Sequence, residues 1–417
     1  PGWEWSGNTG LGGDRNVLFR REGGPIHRSS RALVTPHESG EPISETVEDL
    51  FERLEGIEPE AMLIAHVGGR YADLERHREG LERAVEVHSA WGTFEWIVED
   101  AFRMGYRVGI VANSDGHKGR PGASYPGAGW FGAIGGLTCF LMPELTRAAL
   151  LECLRRRRHY ATTGGPNGRV LLDVRVIFDQ PATLFHDDPT IKKNPGIPCS
   201  EALMGDIVHL PRGDVKIRIE ARASSPVQRL DLFNGTRHLC THRPYSGQDP
   251  ANRIAVIWDG AEYRGRFRAV SWDGTATFDR ARIRKVEPVN FFNLDKTLDL
   301  VDESSLSWRS VTTGNMAGFV VSLHNSYAGS LSIKTPLIET EQPLSAIGFE
   351  DSMFDASGVL PRRVRMFRLP DTNPHFRVHF ELTLKPLEEC DNPYYVRITL
   401  EDGTQAWSSP VYVFRKH

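Results

Sequence analysis

The sequence predicts an α/β region followed by an all-β region, and three observations carry that expectation. From the start to about residue 167, short apolar strands alternate with amphipathic helical stretches, the pattern of parallel β/α units that close into barrels. Successive strands there stay apolar until their C-terminal ends, where His66, His88 and the pair Asp115 and His117 stand. From residue 168 the apolar period shortens to two, as in antiparallel sheets with one wet face. The expected architecture is therefore a partial β/α barrel over 1–167 and an antiparallel β-sandwich-like domain over 168–417.

In chain order, Ser44 is placed to cap a helix on which Val47, Leu50, Phe51 and Leu54 recur at helical spacing before Gly56 ends it. "AMLIAHV" (61–67) reads as a buried strand, a polar helical stretch follows, and "RAVEVHS" (83–89) reads as the next strand. "FEWIVEDAFRMG" (94–105) is a helix closed by Gly105, and "YRVGIVANSDGH" (106–117) a strand whose polar end carries Asp115 and His117. "GLTCFLM" (136–142) and "ELTRAALLECLRRRRHY" (144–160) add a strand and a helix. A period of two puts Glu86 with His88, and Asp115 with His117, on single strand faces.

Beyond the Gly-rich stretch 162–169, "DVKIRIEARA" (214–223) and "FRVHFELTL" (376–384) alternate strictly. Asp-Gly pairs at 259–260, 273–274 and 402–403 mark hairpin turns, and the Pro- and Asp-rich stretch 180–205 reads as a long loop.

Composition narrows the function classes. The 417 residues carry a net charge of −4, and the basic run Arg155–Arg158 sits at a helix C-terminus where cations suit the dipole, so nucleic acid is not favoured as a partner. No apolar stretch approaches the roughly 18 residues of a membrane span. Five scattered cysteines without a CxxC pair speak for a reducing, cytoplasmic setting and against a thiolate zinc site. "GAGWFG" (127–132) matches GxGxxG but follows a Pro-containing loop rather than a strand, which makes a dinucleotide site weak.

Imidazole and carboxylate together form the ligand set of Zn, Mn or Fe, and His66, His88, Asp115 and His117 supply it from neighbouring strand ends. Glu4, between two Trp residues in "WEWSGN", is a fifth candidate, because a carboxylate among indoles needs a strong partner to stay ionised. Arg70, Lys118 and Arg120 follow the candidate ligands on Gly-rich loops, where cations could hold a phosphate polarised by metals. His27 is a further candidate for contact with substrate, as is His37.

Around His66 ("AHVGGR"), and in "EVHS", "NSDGH" and "RRRRHYATTG", the chain resembles the PHP (polymerase and histidinol phosphatase) superfamily. "WEWSGN", "GGDRNVLFR", "HSAWGTFEW" and "YYVRITLEDGTQAWSSPVYV" are similar to a bacterial branch of unknown function in which a PHP domain carries a C-terminal β-domain. The resemblance implies a distorted β/α barrel, two or three divalent metal ions and hydrolysis of a small phosphorylated substrate. It matches Glu4 to a metal-bridging Glu, His66 and His88 to two single-His motifs, and Asp115 with His117 to a final Asp-x-His. Members of the superfamily open with His-x-His, which this sequence does not contain. The expectation is accordingly that an N-terminal segment, or a separate chain, completes the barrel. A metal-dependent phosphoesterase is the leading expectation. The alternatives are a metal-dependent amide or lactone hydrolase, and a non-catalytic binding protein using Trp258, Trp272 and Trp407.

Overall fold

The computed structural model describes residues 1–29, 42–57, 60–117, 133–165, 168–191, 194–247, 251–265, 267–385 and 389–415. Among them are thirty strands but three α-helices, and no sheet closes into a barrel. The β/α barrel expected from the sequence is thereby overturned. His66 and Asp115 still follow parallel strands, now of an open, mixed sheet.

That sheet contains β1 (Gly2–Ser6), β2 (Asp14–Phe19), β3 (Ala61–Ala65), β4 (Glu82–Ser89), the two-residue β5 (Gly92–Thr93) and β6 (Gly109–Ala112). β1, β2 and β3 run antiparallel to their neighbours, whereas β3, β4 and β6 are parallel. Helix α1 (Val47–Leu54) is capped by Thr46, not Ser44. The Thr46 hydroxyl accepts from Asp49 N (3.2 Å) while the Asp49 carboxylate accepts from Thr46 N (3.1 Å), a reciprocal capping box. Its buried stripe, Val47, Leu50, Phe51 and Leu54, packs on Trp5, Val17, Phe19 and Leu63.

No helix joins β3 to β4, contrary to the reading of the polar stretch between them. The buried Arg15 guanidinium organises this connection instead. It pairs with Glu82 and donates to the carbonyls of Gly12, Asp73 (2.9 Å) and Arg76 (3.0 Å), satisfying backbone acceptors that a helix would have satisfied internally.

Side chains explain why the sheet stays open at β6. Among the described residues no strand continues the ladder beyond β6. Val108 N donates to the Tyr412 hydroxyl (2.8 Å), Ile110 N to Ser409 Oγ (3.0 Å) and Ala112 N to Thr138 Oγ1 (3.1 Å), while His159 Nδ1 donates to the Ile110 carbonyl (3.0 Å). An edge whose backbone groups are paired in this way has no need of a further strand.

Helix α2 (Glu95–Arg103) ends before Gly105, which adopts φ 77°. Helix α3 (Arg147–Arg155) lies between β7 (Leu137–Phe140) and β8 (His159–Thr162). These two strands pair antiparallel and join a twelve-stranded sheet through Gln405–Ser408. In that sheet Val215–Arg222 lies between β9 (Leu171–Phe185) and Arg377–Leu384, with Val215, Ile217 and Ile219 buried. Half of the expected loop over 180–205 is strand, since β9 runs to Phe185 and Ile197–Leu203 pairs back on it.

Two five-stranded antiparallel sheets, built from strands between Arg253 and Leu369, share a core that includes Trp258, Trp308, Phe319 and Leu331. Of the Asp-Gly pairs, 402–403 turns a hairpin between Asn392–Leu400 and Gln405–Ser408. Asp259 and Gly260 instead end a strand paired with Arg362 and Arg363, and Gly274 begins one. Trp258, Trp272 and Trp407 are buried, their indole N–H groups donating to Ser310 Oγ, Thr312 Oγ1 and Glu95 Oε1. This removes the motive for a surface recognition role. Among the described residues no helix is long and apolar enough to cross a membrane.

Candidate metal centre

The carboxyl ends of the parallel strands β3, β4 and β6 lie at one end of the first sheet. Because β2 is antiparallel to β3, its first residue, Asp14, reaches this same end; the Asp14 carbonyl accepts from His66 N (3.4 Å). Glu4 projects from β1, His66 follows β3, Glu86 lies on β4, and Asp115 follows β6. The ligand atoms of Glu4, Asp14 and His66 lie within 4.8 Å of one another, and so do those of His66, Glu86 and Asp115.

His66 stands between the two groups, with Nε2 3.7 Å from Glu4 Oε1 and Nδ1 3.8 Å from Glu86 Oε1. Both separations exceed hydrogen-bond length. Both ring nitrogens are buried without a hydrogen-bond partner among the described residues, as are Glu86 Oε1 and Asp115 Oδ2. Each such atom is costly to bury unsatisfied. In each of the two groups one His66 nitrogen converges with two carboxylates, a donor set that fits a divalent cation.

The electrostatics agree with that fit. Burial raises the Asp14 carboxyl to about 6 despite the Arg70 guanidinium beside it. Asp115 is also raised to about 6, by burial and then by Glu4. Glu86 is pushed well above the usual carboxylate range by burial and by Asp115. Burial lowers His66 to about 4, which keeps the imidazole neutral, with the lone pair of one ring nitrogen available near pH 7.

Two backbone features let the side chains meet. A Cβ on Gly68 would stand 2.9 Å from Asp14 Oδ2 and 3.6 Å from Asp115 Oδ2, so glycine leaves the space in which the carboxylates approach. Asp115 adopts φ 44°, a left-handed conformation that Asp tolerates better than most residues. The strand itself ends at Ala112, so Asp115 and His117 do not share a strand face as expected.

A cavity of about 560 Å³ opens over the cluster, lined by Glu4, Asp14, Arg70, Asp115, His117 and Arg268 among others. Arg70 Nε donates to Asp14 Oδ1 (3.0 Å) and its backbone N to Asp14 Oδ2 (3.3 Å), which makes it first a partner of Asp14. His117 lies exposed at the mouth, donating to the Asp115 carbonyl (3.1 Å) with its ring edge-on to Trp91. It belongs to neither ligand group.

The structure does not bring His88 or His27 into the cluster. The register slips between Glu86 and His88, which face Val111 and Ala112 respectively. Simple alternation therefore fails, and His88 packs by Trp407 with Nδ1 2.8 Å from Thr93 Oγ1 and Nε2 donating to the Ile134 carbonyl (2.8 Å). His27 is buried on Ser44 Oγ (3.0 Å) and stacks on Trp3. Glu4 is not held among indoles as expected, because alternation turns the buried Trp5 to the opposite face, where it bonds the Ser44 carbonyl. Lys118, Arg120, His37 and "GAGWFG" lie outside the described residues.

Sequence reasoning missed Asp14 and Arg268 and gave Glu86 a lesser role. The search for polar strand ends looked at C-termini, whereas an antiparallel strand presents its N-terminus here. Arg268 lies 200 residues from Gly68, whose carbonyl accepts from its Nη2 (2.6 Å), and no local signal marks it. No family model, no curated protein and no solved structure matches the chain.

Proposed function

We propose that the protein is a metal-dependent hydrolase acting on phosphoesters, with Glu4, Asp14, His66, Glu86 and Asp115 holding divalent ions of the Mn, Zn or Fe type. The observation that carries this reading is the convergence of buried, unpartnered nitrogen and carboxylate atoms beneath an open cavity. Divalent ions in such a site supply water activation at neutral pH and charge neutralisation at a phosphoryl oxygen. The chain's own groups do the rest. Neutral His66 offers the lone pair of one ring nitrogen and keeps its proton on the other. Arg70 fixes the orientation of Asp14, and His117 at the cavity mouth is placed to exchange protons with a leaving group.

The carboxylates also argue for cations. Several acidic groups around one cavity repel an anionic substrate until a positive charge offsets them. The resemblance to PHP enzymes supports the same chemistry, although the open sheet rules out their barrel as its scaffold. None of the five cysteines forms a disulfide, which supports a cytoplasmic setting within this reading.

The test is metal content per chain by plasma mass spectrometry, for the native protein and for Asp115→Ala combined with Glu86→Ala, followed by assay against phosphomonoesters and diesters. Two or three divalent ions lost in the double variant, with metal-dependent phosphate release by the native protein, is the expected result. Full metal occupancy without phosphate release from any ester would overturn the substrate assignment. An absence of bound metal would overturn the site.

A further inference from the structure

Arg268 is contributed by the segment after the strand Arg253–Gly260, far along the chain from the sheet whose cavity it lines. It is 4% exposed. Its Nη2 donates to the Gly68 carbonyl (2.6 Å) within the glycine turn that shapes the cluster, and its Nη1 is buried with no partner among the described residues. The guanidinium carbon lies 5.3 Å from the centre of the Phe94 ring and 5.9 Å from that of Trp91, so aromatic faces hold it in place. A buried guanidinium N–H without an acceptor is costly, and an oxyanion over the cluster would relieve that cost with a charge-assisted bond.

The preceding residue, Phe267, lines the same cavity, is 85% exposed and adopts φ 58°. A bulky side chain rarely takes that backbone conformation outside places where function maintains it. An apolar ring held on the rim of a charged cavity gives an apolar substrate group a surface on which to rest.

We propose that Arg268 binds the substrate's phosphoryl oxygens and that Phe267 seats an apolar or aromatic group on the ester, making aryl and other apolar phosphomonoesters the preferred substrates. This rests on the phosphoesterase reading for its chemistry, but anion binding by Arg268 can be measured without turnover. Arg70, engaged with Asp14, is then a positioning residue, and Arg268 takes the anion-holding role that sequence reasoning gave to Arg70 and Arg120.

The experiment is calorimetric titration of inorganic phosphate into the Mn²⁺-equilibrated full chain, native, Arg268→Met and Arg268→Lys, with metal content and thermal midpoint recorded for each. The expected result is phosphate binding weakened about 10- to 100-fold in Arg268→Met and partly restored in Arg268→Lys, at unchanged metal content. If Arg268→Met does not fold, the lysine variant decides, because it keeps the charge but loses the fork. Equal phosphate affinity in native and folded variants overturns the proposal while leaving the metal-hydrolase reading intact. If the native protein takes up no metal, that reading falls, and the metal-free titration judges Arg268: phosphate binding lost in the variant supports it, and no binding overturns it.

Turnover tests the second part. Phe267→Gly, which relieves the backbone strain, is expected to lower kcat/KM for p-nitrophenyl phosphate about tenfold relative to glycerol phosphate, without lowering the thermal midpoint. An unchanged ratio overturns the role of Phe267.

Discussion

A methyl group at position 68 would stand 2.9 Å from Asp14 Oδ2, so Gly68→Ala forces apart the carboxylates that meet there. Titration with Mn²⁺ is expected to show affinity about 10- to 100-fold lower, while far-ultraviolet circular dichroism stays native. The same residues set a pH dependence. Asp14 and Asp115 are raised to about 6, and in the metal-free protein a raised carboxyl contributes stability that is present below pH 4 and lost as pH rises through 6. Metal must displace those protons. His66, lowered to about 4, is already neutral above pH 5 and binds through one nitrogen without proton release. Mn²⁺ affinity is therefore expected to rise between pH 5 and pH 7, and Glu86, raised further by burial and Asp115, adds to the same upward slope. A flat profile measured by calorimetry across that range would remove these carboxyls from the ligand set.

At the scale of single elements, β6 shows how side chains replace a strand. The Tyr412 hydroxyl accepts from Val108 N and donates to the Val108 carbonyl (2.7 Å), so Tyr412→Phe leaves two buried backbone groups without partners. Urea unfolding is expected to register a loss of about 1–3 kcal/mol. His159 serves the same edge, and burial lowers its pKa to about 4, as it does for His88. A base whose folded pKa is depressed contributes stability present above its unfolded value of about 6.5 and lost as pH falls towards 4. Each ring is then worth ~3 kcal/mol across that window by the usual conversion. The urea midpoint of His159→Gln should accordingly depend less steeply on pH between 6.5 and 4 than that of the native protein.

At the scale of the whole molecule, buried ion pairs tie the first sheet to strands hundreds of residues away. Arg397 donates to both Glu95 oxygens (2.7 Å each) and to Asp231 (2.9 Å), and Arg107 pairs with Asp188 (2.8 Å) and Asp391 (2.7 Å). Arg397 holds the Glu95 carboxyl low, while Arg229 and Arg397 hold Asp231 well below the ordinary range. Removing the guanidinium takes a partner from half-buried Glu95, which keeps Trp407, and from buried Asp231, which keeps Arg229, so Arg397→Met is expected to cost about 1–3 kcal/mol. Because α2 and the large sheet share this network, calorimetry of the native protein should show one transition. Two separated transitions would mean that the network does not couple them.

The sequence by itself determined the local grammar. The amphipathic stripe of α1, the stop at Gly105, the alternation of Val215, Ile217 and Ile219, and the polar residues His66 and Asp115 beyond β3 and β6 all follow from short-range periodicity and turn chemistry, which neighbours in the chain impose on one another. Tertiary structure decided what periodicity does not encode. Strand direction turned the N-terminus of β2, and with it Asp14, towards the cluster. A one-residue register slip on β4 kept Glu86 and withdrew His88. Side chains from residues 138 to 412 capped β6 and left the sheet open where a barrel was expected. Arg268 arrived from 200 residues away. Such outcomes depend on which distant groups satisfy one another's hydrogen bonds and charges, and that pairing is settled only when the chain has packed.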